Sequence, residues 1–357
     1  MSITEVAKAA GVSTATVSRV LNGLPGVREE TIAQVKAAVK ELKYTRQRSR
    51  PVRRRVPSAA SKLKTGSIAV ITLGHDRSWL ERPVMASVLG GIQRSTQGLD
   101  LRLILGEMAD LTKPIPLLTG KQIDGAIVFL SSDVPIAQYH HTLASMQQYV
   151  PLVWAMGMEM AIAGIDHVTP DNVGIGHLAY THLAKQGCKR VAFLTGDPAW
   201  PFIRLRGQSF VNSAWDGGHQ PTAYLVGNED RVLEPYGRRM VNAETLEALV
   251  ERLVASPDRP DGLFVANDIT TGYIYPLLAQ HGVKIGEDLQ IVSCDNEQAR
   301  LSGMHPRPPS IDIGAEEIGY RCVNRLLNRI ERPKGPPLII QVAPRLQVPG
   351  AVTAVSL

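Results

Sequence analysis

From Ser67 to the C-terminus the chain alternates short apolar runs with helical patterns, and no other feature restricts its fold as much. The runs are IAVITL (68–73), LRLIL (101–105), DGAIVFL (124–130), PLVWAM (151–156), RVAFL (190–194), GLFVA (262–266) and LQIVS (289–293). Continuous apolar runs of this kind suit strands buried on both faces, as in parallel sheets. Between several of them lie residues at helical spacing, such as Met85, Val88, Leu89 and Ile92, and helices fit 173–186, 242–255 and 315–331. Strand–helix alternation implies parallel α/β sheets with right-handed crossovers. Sustained over roughly 290 residues it exceeds one usual domain, which predicts two lobes with a cleft between them. No internal repeat is visible.

The first 43 residues follow another pattern, that of three short helices. Ser2 and Glu5 form an S-x-x-E capping box that starts the first helix at Ile3. Gly11 supplies a tight turn. Ser13 can cap a second helix whose inner face is Val17, Val20 and Leu21. After Asn22-Gly23-Leu24-Pro25-Gly26 a third helix carries Ile32, Val35, Val39 and Leu42.

Charge separates these two regions. Residues 1–64 hold fourteen Lys/Arg against four Asp/Glu, whereas the remainder is slightly acidic and the whole chain is +6. A basic head on an acidic body predicts a polyanionic partner at one end only. Residues 44–65 contain Pro51, Pro57, six arginines between Arg46 and Arg55 and no acid, the composition of an open linker. Cys188, Cys294 and Cys322 are too scattered for a disulfide framework or a metal site and fit a reducing compartment. There is no apolar run long enough to span a membrane, and the N-terminus opens on a polar helix rather than an export signal. A cytoplasmic, nucleoid-associated protein is expected.

Two short helices packed through small residues leave the second free to enter the major groove of DNA with its N-terminal side chains on base edges. Thr14 and Ala15 stand at that end, both able to touch a thymine methyl. Ser18 and Arg19 follow one turn later, and Arg19 is the best candidate for a bidentate guanine contact. Ser13, Asn22 and Tyr44 are placed for phosphate, which fixes register without reading sequence. A plain solvated helical bundle is the competing reading; the charge excess and basic linker favour DNA.

The run from Glu5-Val6-Ala7 through Ala10-Gly11-Val12-Ser13 to Thr16-Val17-Ser18-Arg19-Val20-Leu21-Asn22 closely resembles the DNA-binding head of the LacI/GalR repressors, and Val27, Thr31, Val35 and Glu41-Leu42-Lys43-Tyr44 continue the likeness. It extends through Asp171-Asn172, Gly187 with Arg190-Val191-Ala192, Arg204-Leu205-Arg206-Gly207, Ala266-Asn267-Asp268, Ser293-Cys294-Asp295-Asn296, Gly319 and Arg325-Leu326-Leu327. The resemblance implies an α/β sensor of two parallel-sheet lobes, of the type I periplasmic-binding-protein kind, behind an all-α helix-turn-helix domain. It also implies a homodimer on a palindromic operator. The division expected is 1–45 for the head, 46–65 for the linker and 66–357 for the sensor. Within the sensor, a first lobe covers about 66–166 and 315–336, a second about 167–312 and 337–357.

The linker departs from the family, where Pro-Asn and a short helix follow the tyrosine and a leucine wedges into the minor groove. Here Thr45-Arg46-Gln47 takes that place. Leu63 is either the wedge on a helix that folds on DNA or packs at the edge of the sensor. Arg53, Arg54 and their neighbours can track phosphate or a narrow minor groove. The helix at 83–97, with Gly90-Gly91, is either a dimer seam or core packing.

In open α/β folds ligands bind beyond the carboxyl ends of strands. Asn267, Asp295 and Arg204 fall there, and an amide, a carboxylate and an arginine can hold a polyhydroxylated or charged ligand. Asp268 is expected to cap the helix that follows. His75, Asp76 and Trp79 after the first strand, and Trp200 as a stacking ring, are the remaining effector candidates. Met156 stands where the family's sugar binders often place a carboxylate. Gly174-x-Gly176 lacks a nucleotide fingerprint and His140-His141 lacks metal partners. No P-loop, nucleophile elbow or catalytic triad is present. Neither a catalytic set nor a cofactor is expected, and a sugar-like small-molecule effector is. A solute receptor and an α/β enzyme are the rival classes; the basic head opposes the first, the missing nucleophile or metal set the second.

Overall fold

The computed structural model describes residues 3–21, 27–42, 62–74, 82–131, 136–157, 162, 164–196, 200–225 and 243–350. The chain divides into two units, Met1–Pro57 and Ser58–Leu357.

The first unit holds α1 (Ile3–Ala9), α2 (Thr14–Leu21) and α3 (Glu29–Glu41). Its core is Val6, Ala7, Val17, Val35 and Ala38, with Ala10, Val12, Val20, Leu21, Val39 and Leu42 packed around it. The α1–α2 turn depends on Gly11 at φ 63, a left-handed conformation a β-carbon penalises. The Ser13 hydroxyl then accepts from the Thr16 N–H at 3.1 Å and caps α2.

The second unit opens with β1 (Ser67–Leu73), α4 (Pro83–Gly98), β2 (Arg102–Met108), α5 (Pro116–Thr119), β3 (Gly125–Leu130), α6 (Ile136–Gln147), β4 (Leu152–Ala155) and β5 (Asp166–Pro170). It continues with α7 (Asn172–Lys185), β6 (Val191–Thr195), α8 (Pro201–Asp216), β7 (Thr222–Leu225), α9 (Ala243–Ala255), β8 (Gly262–Val265), α10 (Asp268–Gln280), β9 (Gln290–Cys294), α11 (Gln298–Leu301) and β10 (Ser310–Asp312). It ends with α12 (Ala315–Glu331), β11 (Ile339–Val342) and β12 (Arg345–Gln347). These form two six-stranded sheets, ordered β11-β5-β4-β3-β1-β2 and β12-β10-β9-β8-β6-β7. All described pairings are parallel except β10 with β12. No helix among the described residues is long and apolar enough to cross a membrane.

The lobe borders differ from the expected ones in two places. β5 belongs to the first sheet, so the chain leaves that lobe after Pro170 rather than near Asp166. β11 belongs there too, paired with β5, and the last crossover falls between Val342 and Arg345 rather than near Pro336. β5 escaped a hydrophobicity reading because DHVTP carries Asp166 and His167, both fully buried polar side chains, and β11 is a short strand of only four residues. Asp166 accepts from Arg329 Nε at 2.7 Å, Arg329 Nη2 at 2.8 Å and the Leu338 N–H at 2.8 Å, and pairs with Arg325 at 2.8 Å. The crossovers lie side by side, the Asp171 N–H donating to the Val342 carbonyl at 3.0 Å.

Residues 62–66 belong to the second unit. Asp124 accepts from the backbone N–H groups of Lys64 (2.7 Å), Thr65 (3.1 Å) and Gly66 (2.8 Å) and from the Thr65 hydroxyl (2.9 Å). Burial opposes its ionisation, but these hydrogen bonds outweigh it and hold the carboxyl below its ordinary value. Lys62 Nζ donates to the Glu331 carbonyl at 2.8 Å, and Leu63 packs half-buried against the sensor core.

Helices α4 and α12 cross at two glycines. A β-carbon on Gly91 would lie 2.0 Å from the Glu316 carbonyl oxygen, and one on Gly319 2.0 Å from that of Val88. Gly91 is therefore spent on a contact inside the first lobe. Gly319→Ala is expected to destabilise the protein by about 1–3 kcal/mol, since backbone rather than a flexible side chain has to yield. Chemical denaturation measures it, and a variant as stable as the parent would show that the helices separate freely.

Candidate functional site

The first unit presents α2. Its inner face is pinned by Val17, while Thr14 and Arg19 are exposed. Ser13 is exposed as well and its hydroxyl is engaged with Thr16. Arg28 precedes α3 without a side-chain cap. The Ala15 and Ser18 side chains, and all of Asn22, Tyr44, Arg53 and Arg54, lie outside the described residues. In the second unit the same holds for His75, Asp76 and Trp79. Leu63 takes the packed position of its two readings.

The cleft side of the second lobe is organised by Arg206. On α8 the buried residues Ile203, Arg206, Gly207, Phe210 and Ala214 recur at helical spacing, so Arg206 points inward at 1% exposure. Arg204 lies off that stripe and is exposed. The Arg206 Nε donates to Asn172 Oδ1 at 3.1 Å; Nη1 donates to the Ala266 carbonyl at 2.8 Å and to Asp295 Oδ1 at 3.1 Å. Burial works against the charge, but nearby Cys294, Asp295 and Asp268 outweigh it and keep the guanidinium protonated. Nη2 has no acceptor among the described residues. Arg206 was passed over because matching arginine-x-x-glycine selects Arg204, whereas helical periodicity around Phe210 selects Arg206.

Asp295 follows β9 in a left-handed conformation, φ 99, and Asn296 does the same at φ 54. Two successive non-glycine residues in this region mark a strained turn, a feature that gathers at ligand sites. The capping role expected of Asp268 falls to Asn267. Asn267 Oδ1 accepts from the Thr270 N–H at 2.8 Å and caps α10. Asp268, fully buried, accepts from the hydroxyls of Ser293 and of Ser310 (2.9 Å) and from the Glu297 N–H (2.6 Å). It thereby ties the Asp295-Asn296-Glu297 turn to α10. Burial first, and Asp295 second, push its carboxyl up to about 7. Glu297 pairs with Arg300 at 2.5 Å. Burial and Asp295 raise its carboxyl, while Arg300 and Arg82 oppose the rise.

Trp200 and Arg82 meet beside this cluster. Each precedes a proline at the first position of a helix, α8 and α4 respectively, and each is extended, with ψ 123 and ψ 135. The Arg82 guanidinium, from the first lobe, lies 5.9 Å from the Trp200 ring centroid in the second. Trp200 meets Phe202 edge-on at 5.2 Å, and Arg206 lies 5.4 Å over Phe202. Sequence reasoning singled out Trp200 and missed Arg82, whose only signal was its place before Pro83. The three cysteines are free and buried, and burial raises their thiols, Cys188 to about 11, which suits no nucleophilic role.

A family model of bacterial regulatory proteins, lacI family, matches residues 2–47, and one of the periplasmic binding protein-like domain matches residues 180–350. The ribose operon repressor of Escherichia coli (strain K12) is 26% identical over 355 residues, covering 97% of this chain and 98% of that one. The HTH-type transcriptional repressor PurR of Edwardsiella ictaluri is 27% identical over 357 residues, covering 96% and 94%. Among solved structures, a transcriptional regulator CelR–cellobiose complex has a TM-score of 0.63 at 21% identity, covering 98% of each chain. The lac repressor dimer bound to operator and the anti-inducer ONPF has a TM-score of 0.61 at 19% identity and the same coverage. Both share the fold.

Removing Arg206 strands Asp295 in a site where its side chain is 13% exposed. Arg206→Met is expected to destabilise by about 3–5 kcal/mol, and adding Asp295→Leu to recover a large part of that. Denaturation of the single and double variants measures it; additive losses would mean the two side chains act independently. For Asp268 the folded carboxyl holds its proton between its ordinary value of 3.8 and about 7, where the unfolded one does not. Its contribution to stability is therefore full at the acid end and lost as pH rises through about 7. Stability measured from pH 4 to 8 should fall less steeply with pH in Asp268→Asn than in the parent; parallel curves would show an ordinary carboxylate.

Proposed function

This chain belongs to the bacterial regulatory proteins of the lacI family, and on that premise we propose that it is a transcription repressor whose hold on a palindromic operator is set by a small metabolite bound between the lobes of its sensor. One observation carries the reading: a basic helix-turn-helix head and a two-lobed body, with a fully buried guanidinium at the cleft side of its second lobe, lie on one polypeptide. The protein works as a cytoplasmic, nucleoid-associated homodimer and performs no catalysis.

On the operator, α2 lies in the major groove. Arg19 donates to a guanine edge; Thr14 and Ala15 approach thymine methyls, with Ser18 beside them. Ser13, Asn22 and Tyr44 hold phosphates, and Arg53 and Arg54 supply the linker's electrostatic grip. In the sensor, Arg206 and Asp295 face the effector, with Asn267, Trp200 and, at the rim, Arg204; His75, Asp76 and Trp79 belong to the same opening. Names of relatives such as the ribose operon repressor support a sugar-like effector. Ligand binding changes operator affinity only through different affinities for the two lobe arrangements.

Selection of genomic fragments by the purified protein, with and without metabolites, tests the reading. A palindromic sequence whose capture responds to a metabolite is expected, and absence of any preferred fragment under all conditions overturns it. On that operator Arg19→Ala should weaken binding roughly ten- to hundredfold while random duplex is bound nearly as before; equal losses on both would remove Arg19 from base reading.

A further inference from the structure

We infer that the cleft selects an anionic polyol, a sugar-like ligand bearing a carboxylate or a phosphate, and that Arg82 is the first lobe's determinant of that choice. The inference rests on the sensor reading above and concerns which chemistry the sensor accepts.

Among the described residues the carboxylates near the cleft are taken up in ion pairs, Asp295 with Arg206 and Glu297 with Arg300, or shut away, as Asp268 is. Carboxylates are the usual means of gripping hydroxyl hydrogens, because they only accept. Here every described carboxylate near the site is already engaged. Asp295 accepts from Arg206, Glu297 is held by Arg300, and Asp268 is enclosed by Ser293, Ser310 and the Glu297 N–H.

What remains unanswered is cationic. Arg206 is 1% exposed, yet its Nη2 donates to nothing among the described residues. Arg82 is exposed and lies over an aromatic face, and the carboxylate within its electrostatic reach, Glu297, is already paired with Arg300. These two guanidinium groups stand over neighbouring rings, Trp200 and Phe202, whose centroids are 5.2 Å apart. One cation comes from each lobe. Two like charges brought towards a common aromatic pair repel in a partly dry cleft, and an anion between them turns that repulsion into attraction from both sides. Guanidinium forks match carboxylate and phosphate geometry. The Asn267 amide nitrogen, whose partner oxygen is taken by the Thr270 N–H, serves the ligand's hydroxyl groups. Lobe closure brings Arg82 and Arg206 nearer each other, so an anion stabilises the closed arrangement more than a neutral sugar of the same shape does.

The experiment uses the full-length protein and matched probes at millimolar concentration: D-gluconate against D-glucitol, and D-ribose 5-phosphate against D-ribose. Thermal shift and calorimetry read binding. In at least one pair the acid is expected to bind roughly tenfold or more tightly than its neutral partner, as one charge-assisted hydrogen bond provides; which pair responds separates a carboxylate ligand from a phosphate. Arg82→Gln should erase that preference while the protein's own melting temperature stays close to the parent's, and Arg82→Lys should restore part of it. Neutral members that bind as well as their acids in both pairs overturn the inference and leave the metabolite-sensor reading intact. Acid preference unchanged in Arg82→Gln overturns the role of Arg82. Silence from every pair, in a protein that still selects genomic DNA, overturns the anion inference alone.

Discussion

A guanidinium shut away from water must be met by acceptors, and the second lobe is arranged around that demand. Arg206 gathers an amide from the start of α7, a carbonyl from the residue after β8 and a carboxylate from the residue after β9. Losing any of them leaves charge buried without compensation, so the distances between α7, α8 and the carboxyl ends of two strands are tied together. The strained conformation of Asp295 persists because this tie and the Asp268 hydrogen bonds beneath it over-determine the turn. A hydrophobic residue at position 206 would pack α8 on the sheet equally well. It would not hold Asn172, Ala266 and Asp295 to one point, and that difference connects the core of the lobe with its chemistry.

Most of the architecture was legible because parallel strands leave apolar runs, and the seven runs correspond to β1 through β4, β6, β8 and β9, all well buried except the edge strand β2, where Leu105 is exposed. The strands that escaped detection are short or polar. β5 is readable only once its partners are known, since the arginines that make Asp166 acceptable in a core stand 163 residues later for Arg329. The site was legible at the level of loops more than of atoms. Asp295 was singled out by its position after a strand and Trp200 as a stacking ring. The division of labour between Asn267 and Asp268 was not legible, because either residue type can cap a helix and only the buried hydroxyls of Ser293 and Ser310 decide which one does. Arg204 and Arg206 show the same limit: a motif counts residues along the chain, whereas burial follows the turn of the helix.

The anchoring of Lys64, Thr65 and Gly66 by Asp124 gives the linker's end a mechanical meaning. Asp124 directly precedes β3, in the middle of the first sheet, and its carboxylate collects three backbone N–H groups and a hydroxyl. The chain therefore leaves the sensor from the rigid body of the first lobe rather than from a loose end. A rotation of that lobe against the second carries Lys64, Thr65 and Gly66 with it. The crossovers offer little resistance to such rotation, being single segments laid side by side, whereas each lobe is stiffened by tightly packed helix pairs, α4 with α12 and α7 with α8. Stiff lobes on a narrow hinge give a two-position device. A cation contributed by each side of the cleft lets a bound anion choose between the positions, because its attraction to both is greatest when the lobes are closest.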